Sequence, residues 1–366
     1  MPNEFITIKN IARQTLPRLI ENLVFPNLIY KDYSEAFAYQ GDTIQVRKPV
    51  MLEASEFVQE SGTTPQDVQE TSVDVTLNHL ATVDIEFTAI QRATNVDDLN
   101  RLFLEPAAVA LAQKINADGL DLYKDIPYVG GTAGTTPSEL TDISNVRKLL
   151  NINKAPTTLR RAVWDPEADA SFVTIPAIVN AEKSGSTAAL REGSIGRIMG
   201  IDNYMSQAVK SHVTGATGTP AVDLSGGYQV GTTTIHVDGL TTAFIPGDLF
   251  TLGDYTYTVV AAGALSTADQ DITIYPGLKA AAANDAAITV IGNHTANLGF
   301  HENAFAFVTR PLVAPAGVES YVTSYNGVTM RVVRGYDMKY KKEMLSMDVL
   351  YGYKTMYPEL AVRYLG

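Results

Sequence analysis

The stretch "ALREGSIGRIMGIDNYMSQAVKSHVTG", Ala189 to Gly215, divides two kinds of sequence. Upstream the chain is charged and rich in helical patterns. Downstream, from Gly215 to Phe300, Lys279 is the only Lys or Arg, and Gly, Thr, Ala and Asp dominate. The stretch carries Arg191, Gly193, Ile195, Gly196 and Gly200 as an Arg-x-Gly-x-Ile-Gly-x-x-x-Gly run. Its "EGSIG" is offset by one position from a Gly-x-Ser-x-Gly nucleophile elbow, so it does not read as a hydrolase turn.

Working back towards the N-terminus, "RRAVWDPEADASFV" reads as a strand ending at Trp164, then Asp165 capping a helix with Pro166 at its first position. A helix from Glu139 to Asn151 precedes it, giving an α/β unit through Gly215. From Asn95 to Lys124 the spacing is helical, with Pro106 separating a short helix from a longer one of about 18 residues, ~27 Å of strut. Earlier, "GDTIQVRKPV" (41–50) and "SVDVTLNHLATVDIEFTAI" (72–90) flank a polar segment and read as a long hairpin. At ~3.3 Å per residue its arms reach roughly 30 Å from the body. An isolated two-stranded hairpin is marginal in water, so it must rest on something, and a single subunit is expected to offer it little support.

The first segment, 5–24, carries Ile8, Ile11, Ala12, Leu16, Leu19, Ile20 and Leu23 at helical spacing. Pro17 is expected to split it into two short helices. Its apolar stripe either packs on the core or docks on a partner, with Lys9, Arg13 and Arg18 alongside.

Beyond Gly215, "TTTIHVDGL", "DLFTLGDYTYTVV", "DITIYPG" and "AAITVIG" are strand patterns. In Gly247–Val260 two strands meet at Leu252-Gly253-Asp254, with Tyr255, Tyr257 and Val259 alternating against Thr256 and Thr258. About 85 residues exceed the ~40 below which small domains need staples, so a small barrel or sandwich is expected here. After Phe300 the charged, aromatic style returns in further strands. The β unit is therefore read as an insertion into a discontinuous host.

Composition narrows the function. The 366 residues are 45% hydrophobic, enough for a sizeable core, and contain no cysteine, which removes disulfides and thiolate chemistry. No apolar run approaches the ~20 residues of a membrane helix, and "MPNEFITIKN" does not read as a secretory signal. The net charge of −12 excludes a nucleic-acid grip through counterion release. His79, His212, His236, His294 and His301 are scattered, with no HExxH spacing. "GGTAGTT" (130–136) reads as a flexible connection and "NADGLDLYKD" (116–125) as a solvated helix end. No catalytic set, cofactor or metal is expected.

The ordered set of patterns resembles the major capsid proteins of tailed phages. The Arg191–Gly200 run is similar to their link between a helix and a strand beside the capsomer axis. "IARQTLPRLIENLVFPNLIYKDY" resembles their N-arm, and "GDTIQVRKP" through "VDIEFTAI" their extension loop. "NVDDLNRLFLEPAAVALAQKINADGL" resembles the spine helix with its pre-helix, and "MDVLYGYKTMYPELAVRYL" the last strands. A β insertion at this point is a feature of the podovirus type, on a Hong Kong 97-type α+β shell fold. The resemblance implies an N-arm at 1–40, extension loop at 41–93, spine helix and peripheral domain at 94–137, and axial domain at 138–214. An inserted barrel-like β domain follows at 215–300, and return strands of the axial and peripheral domains at 301–366.

It further implies a non-enzymatic virion protein of hexamers and pentamers, assembled in the host cytoplasm with a scaffolding protein and a portal. A decoration protein is a further candidate partner. Double-stranded DNA would be enclosed without sequence-specific binding. Candidate contact residues for subunits or scaffold are Lys9, Arg13, Arg18, Arg47, Lys48, Glu56, Glu60, Asp67, Glu70, Arg191, Arg197, Asp248 and Asp254. Lysine–asparagine cross-linking positions of related shells find no match. The rivals are an encapsulin-like compartment and a carbohydrate-active enzyme with a β binding module.

Overall fold

The computed structural model describes residues 8–31, 43–47, 72–88, 105–180, 182, 185, 188–325, 327–340 and 342–366. Helix α1 (Ile8–Asn22) runs through Pro17 as one helix, not two. Pro17 is on the exposed side, while Ala12, Thr15, Leu16, Leu19 and Ile20 are buried. That burial offsets the backbone bond the proline forfeits. The helix lies on α2 (Glu105–Leu120) and on strands β17 (Glu319–Tyr325) and β18 (Val328–Asp337) of its own chain. Its described stripe is core, which settles the choice between packing and docking.

Asn116 of α2 locks the next turn. Its Oδ1 accepts from the Val24 and Phe25 N–H groups at 3.1 and 3.2 Å, and its Nδ2 donates to the Asn22 carbonyl at 3.0 Å. Phe25 is thereby held with its ring centroid 5.5 Å from Phe300 and 5.6 Å from Phe305. Gly119 makes room for it, since a Cβ there would come within 2.6 Å of the Phe25 ring.

Above this core lies a five-stranded sheet. β16 (Phe305–Arg310), β19 (Lys342–Thr355), β18 and β17 follow in that order, with β3 (His79–Thr88) also on β19. The register runs from His79 opposite Tyr351 to Thr88 opposite Lys342. Val83, Ile85 and Phe87 therefore belong to this sheet and not to an arm of the hairpin.

The hairpin proper pairs β1 (Thr43–Arg47) with β2 (Ser72–Thr76), and its polar tip lies outside the described residues. Its base rests on its own subunit, where Val75 is buried with Ala306, Val308 and Met356. This corrects the expectation that a single subunit offers it little support. The approach is close: a Cβ on Gly352 of β19 would collide with the Thr76 carbonyl. Gly352→Ala is expected to lift β2 and cost about 1–3 kcal/mol, read from a urea melt. An unchanged melt would mean that β2 yields freely.

The seven-stranded sheet has the order β4 (Val129–Gly131), β20 (Ala361–Leu365), β15 (His294–His301), β5 (Arg160–Trp164), β7 (Ile201–Met205) and β6 (Arg197–Ile198), with β8 (Ser211–His212) on β15. Helix α3 (Leu140–Ile152) begins with a Glu139/Asp142 capping box and buries Ile143, Val146 and Leu150. Asp165 caps α4 (Pro166–Val173) as the sequence predicts, accepting from the Glu167 and Ala168 N–H groups. The Trp164 ring meets Phe172 edge-on at 4.9 Å, and its N–H donates to Asn203.

The third large sheet is antiparallel. Its order is β14 (Ile288–Val290), β11 (Leu249–Leu252), β12 (Tyr255–Ala262), β13 (Gln270–Tyr275), β10 (Thr234–Thr242) and β9 (Thr217–Val222). A bridge between Ala221 and Ala287 brings the two edge strands together, so the sheet curls towards a barrel. It has its own apolar cluster, including Val222, Val237, Phe250, Tyr257, Ile272 and Ile274. The predicted hairpin is present, with Leu252 opposite Tyr255. Thr258, which alternates with Tyr257 and Val259 in the sequence, is buried with them, and its hydroxyl donates to the Lys124 carbonyl at 2.7 Å. The sheet ends at Val290, short of Phe300, since 294–301 is β15 of the seven-stranded sheet.

Candidate functional site: exposed surfaces and a buried junction

The Arg191–Gly200 run forms one end of the seven-stranded sheet. Gly193, Gly196 and Gly200 have φ of +67°, +70° and +81°, a backbone that side chains disfavour. The spacing of the run is thus turn chemistry connecting α5 (Ala188–Glu192) to β6 and β7. Arg191 and Arg197 are exposed here, and Arg197 Nε lies 3.7 Å from Asp202. Leu190 beside them is 68% exposed, with Met199, Tyr204 and Met205 also open. Large apolar side chains grouped on a surface mark contact sites.

A second such surface is the turn joining β18 to β19, which the sequence reading passed over as plain strand. Tyr336, Met338, Tyr340 and Met344 are all exposed there, Met338 at 77%. Asp337 fixes the turn by accepting from the Lys339 and Tyr340 N–H groups at 2.7 and 3.2 Å. The Lys339 ammonium stands 5.1 Å over the Tyr340 ring. The signal was available in "GYDMKYKKEM", where large apolar side chains sit in a basic turn instead of a core pattern.

The other sequence candidates are dispersed. Arg13 is exposed on α1, Arg18 half-buried, and Asp254 exposed at the tip of the β11–β12 hairpin. The side chains of Lys9 and Arg47, and residues Lys48, Glu56, Glu60, Asp67 and Glu70, lie outside the described residues.

Asp248 is a correction. It is 0% exposed and faces no solvent from which to meet a partner. Its Oδ1 takes the His212 ring at 2.8 Å, and its two oxygens accept from the Gly215, Ala216 and Ile245 N–H groups. It clamps the point where the chain passes into the six-stranded unit.

Around it is a buried polar cluster that the sequence showed only as scattered histidines. His212 on β8 lies opposite His294 on β15, ring centroids 5.4 Å apart. The Tyr123 hydroxyl reaches His212 Nδ1 at 3.0 Å. Arg363 on β20 is 0% exposed, with its guanidinium 4.4 Å from the centre of the Tyr123 ring. It donates from Nη1 to the Gly247 carbonyl at 2.8 Å and from Nη2 to His294 Nε2 at 2.6 Å. Burial lowers its pKa, and burial raises that of Tyr123. Nothing in sequence spacing links 123, 212, 248, 294 and 363; only the sheet topology does.

No family model and no curated protein matches the sequence. Solved structures do match the fold. A structure of Mycobacterium phage Che8 superposes with a TM-score of 0.55 at 16% identity, covering 93% of this chain and 90% of that one. The capsid of cyanophage P-SCSP1u gives 0.49 at 12% identity over 89% and 84%. A virus-like particle from Pyrococcus furiosus gives 0.45 at 8% identity over 98% of both chains. Over nearly its whole length the chain shares the fold of the Che8 structure, α+β in composition.

Proposed function

We propose that this chain is the major capsid subunit of a tailed phage, built to associate with copies of itself into an icosahedral shell around double-stranded DNA. The observation that carries this reading is the shared fold, which covers 93% of this chain and 90% of the Che8 chain. The two apolar surfaces, Leu190 to Met205 at one sheet end and Tyr336 to Met344 at another, supply contacts that would repeat at each subunit. The six-stranded unit reads as the insertion domain of the podovirus type. A net charge of −12 suits an inner wall that contains DNA without gripping it. Hexamers, pentamers, a scaffolding protein and a portal complete the reading, as does a decoration protein on the outer face.

Surface substitutions test it. Met338→Asp with Tyr340→Asp is expected to leave the subunit's melt within about 1 kcal/mol, because both side chains are exposed. The same pair should abolish large particles, followed by light scattering as the purified chain is concentrated. Particles formed as readily as by the unsubstituted chain would remove this surface from the assembly account. Particles that capture tail-tagged enzymes without scaffold would favour the encapsulin-like reading instead.

A further inference from the structure

The cluster at the base of the six-stranded unit leaves one proton no place to go. His294 Nδ1 lies 2.7 Å from the Gly292 carbonyl, so it must donate, and Nε2 is left to accept from Arg363. A second proton on this ring would sit on Nε2 and point into the guanidinium, which has no acceptor to offer. The remaining groups facing His294 do not relieve this. His212 on β8 donates from Nε2 to Asp248 and accepts the Tyr123 hydroxyl. Asp248 is already held by His212 and three backbone N–H groups. Lys124 packs its stem at Gly247, and its ammonium pairs with Asp121, which also takes Lys210.

We propose that this junction is an acid-released pivot: protonation of His294 expels Arg363 from its seat and frees the six-stranded unit to change its angle on the body. The unit and the body keep their own structures, because the unit's apolar cluster shares no residue with those of the body. The connections lie at Gly215 on one side and Gly292 on the other, and Gly292 has open space around it. A second attachment limits the swing. The Tyr275 hydroxyl donates to Glu359, and the Lys279 ammonium stands 5.5 Å over the Tyr128 ring.

The sign follows from burial. Burial, with the Arg363 charge second, holds the His294 pKa down to about 4. Once the junction opens, the ring regains an ordinary value near ~6.5. The closed state is therefore fully favoured above about 6.5 and loses ground as pH falls from there to about 4. Between pH 7 and 4.5 the open fraction rises about 60-fold. This pivot holds whether or not the chain builds shells.

Hydrogen exchange on the full chain tests it, comparing the natural protein with His294→Gln at each pH. Glutamine can donate to Gly292 and accept from Arg363, yet takes no proton. At pH 4.5 the natural chain should lose protection in peptides spanning 243–250 and 291–297, relative to the variant, while 270–275 and 345–353 stay equal. Equal protection of the junction peptides in the two proteins at pH 4.5 overturns the pivot. Should the variant fail to fold, the His294 ring resonances of the natural chain decide. Titration near pH 4 with junction shifts moving together supports it, and titration above pH 6 overturns it.

Discussion

Arg363→Met is expected to cost about 3–5 kcal/mol, the loss typical of breaking a buried charged network. The methionine fills much of the volume but donates nothing. The Gly247 carbonyl and His294 Nε2 then lose their donor in a site with no solvent. Asp248 also loses the electrostatic partner it has in the buried Arg363. Urea melts at pH 7 measure the effect. A loss below about 1 kcal/mol would show that the cluster relaxes around the gap and does not hold the six-stranded unit in place.

Phe25→Ala should be as damaging, about 3–5 kcal/mol. The ring fills the space between Phe300, Phe305 and Tyr353, beneath a glycine of α2 that admits no larger residue. Arg13→Ala, on the exposed side of the neighbouring helix, is the control and should change stability by no more than about 0.5 kcal/mol. This pair separates the two readings of the N-terminal segment. If Phe25→Ala leaves the subunit's melt unchanged, the segment does not belong to the core of its own chain.

Legibility in the sequence followed the range of the forces involved. Local chemistry was readable: the Asp165 cap, the Pro166 start and the Leu252–Tyr255 turn all depend on residues a few positions apart. The compositional break at Gly215 marked where the six-stranded unit begins, because a unit with a separate core needs its own apolar alternation. Its far edge was misread at Phe300 because β15 has strand character in either sheet, and only pairing with β5 and β20 assigns it. Pro17 misled because the cost of one missing backbone bond is local, whereas the burial that outweighs it comes from α2, β17 and β18. The same applies to the surfaces. Arg191 and Arg197 were singled out through a motif, but Tyr336 to Met344 look like strand residues until the turn is seen to project them outward. Asp248 looked like one more surface acid, and the partners that hold it buried, His212, Gly215 and Ala216, lie more than thirty positions earlier in the chain.

The central claim is that this fold serves self-association. Negative-stain electron microscopy of the full chain, co-expressed with the scaffolding protein of its own phage and also purified alone at low and high concentration, tests it directly. The account predicts five- and six-membered rings and closed particles of uniform diameter. A population that stays monomeric under every one of these conditions would contradict it.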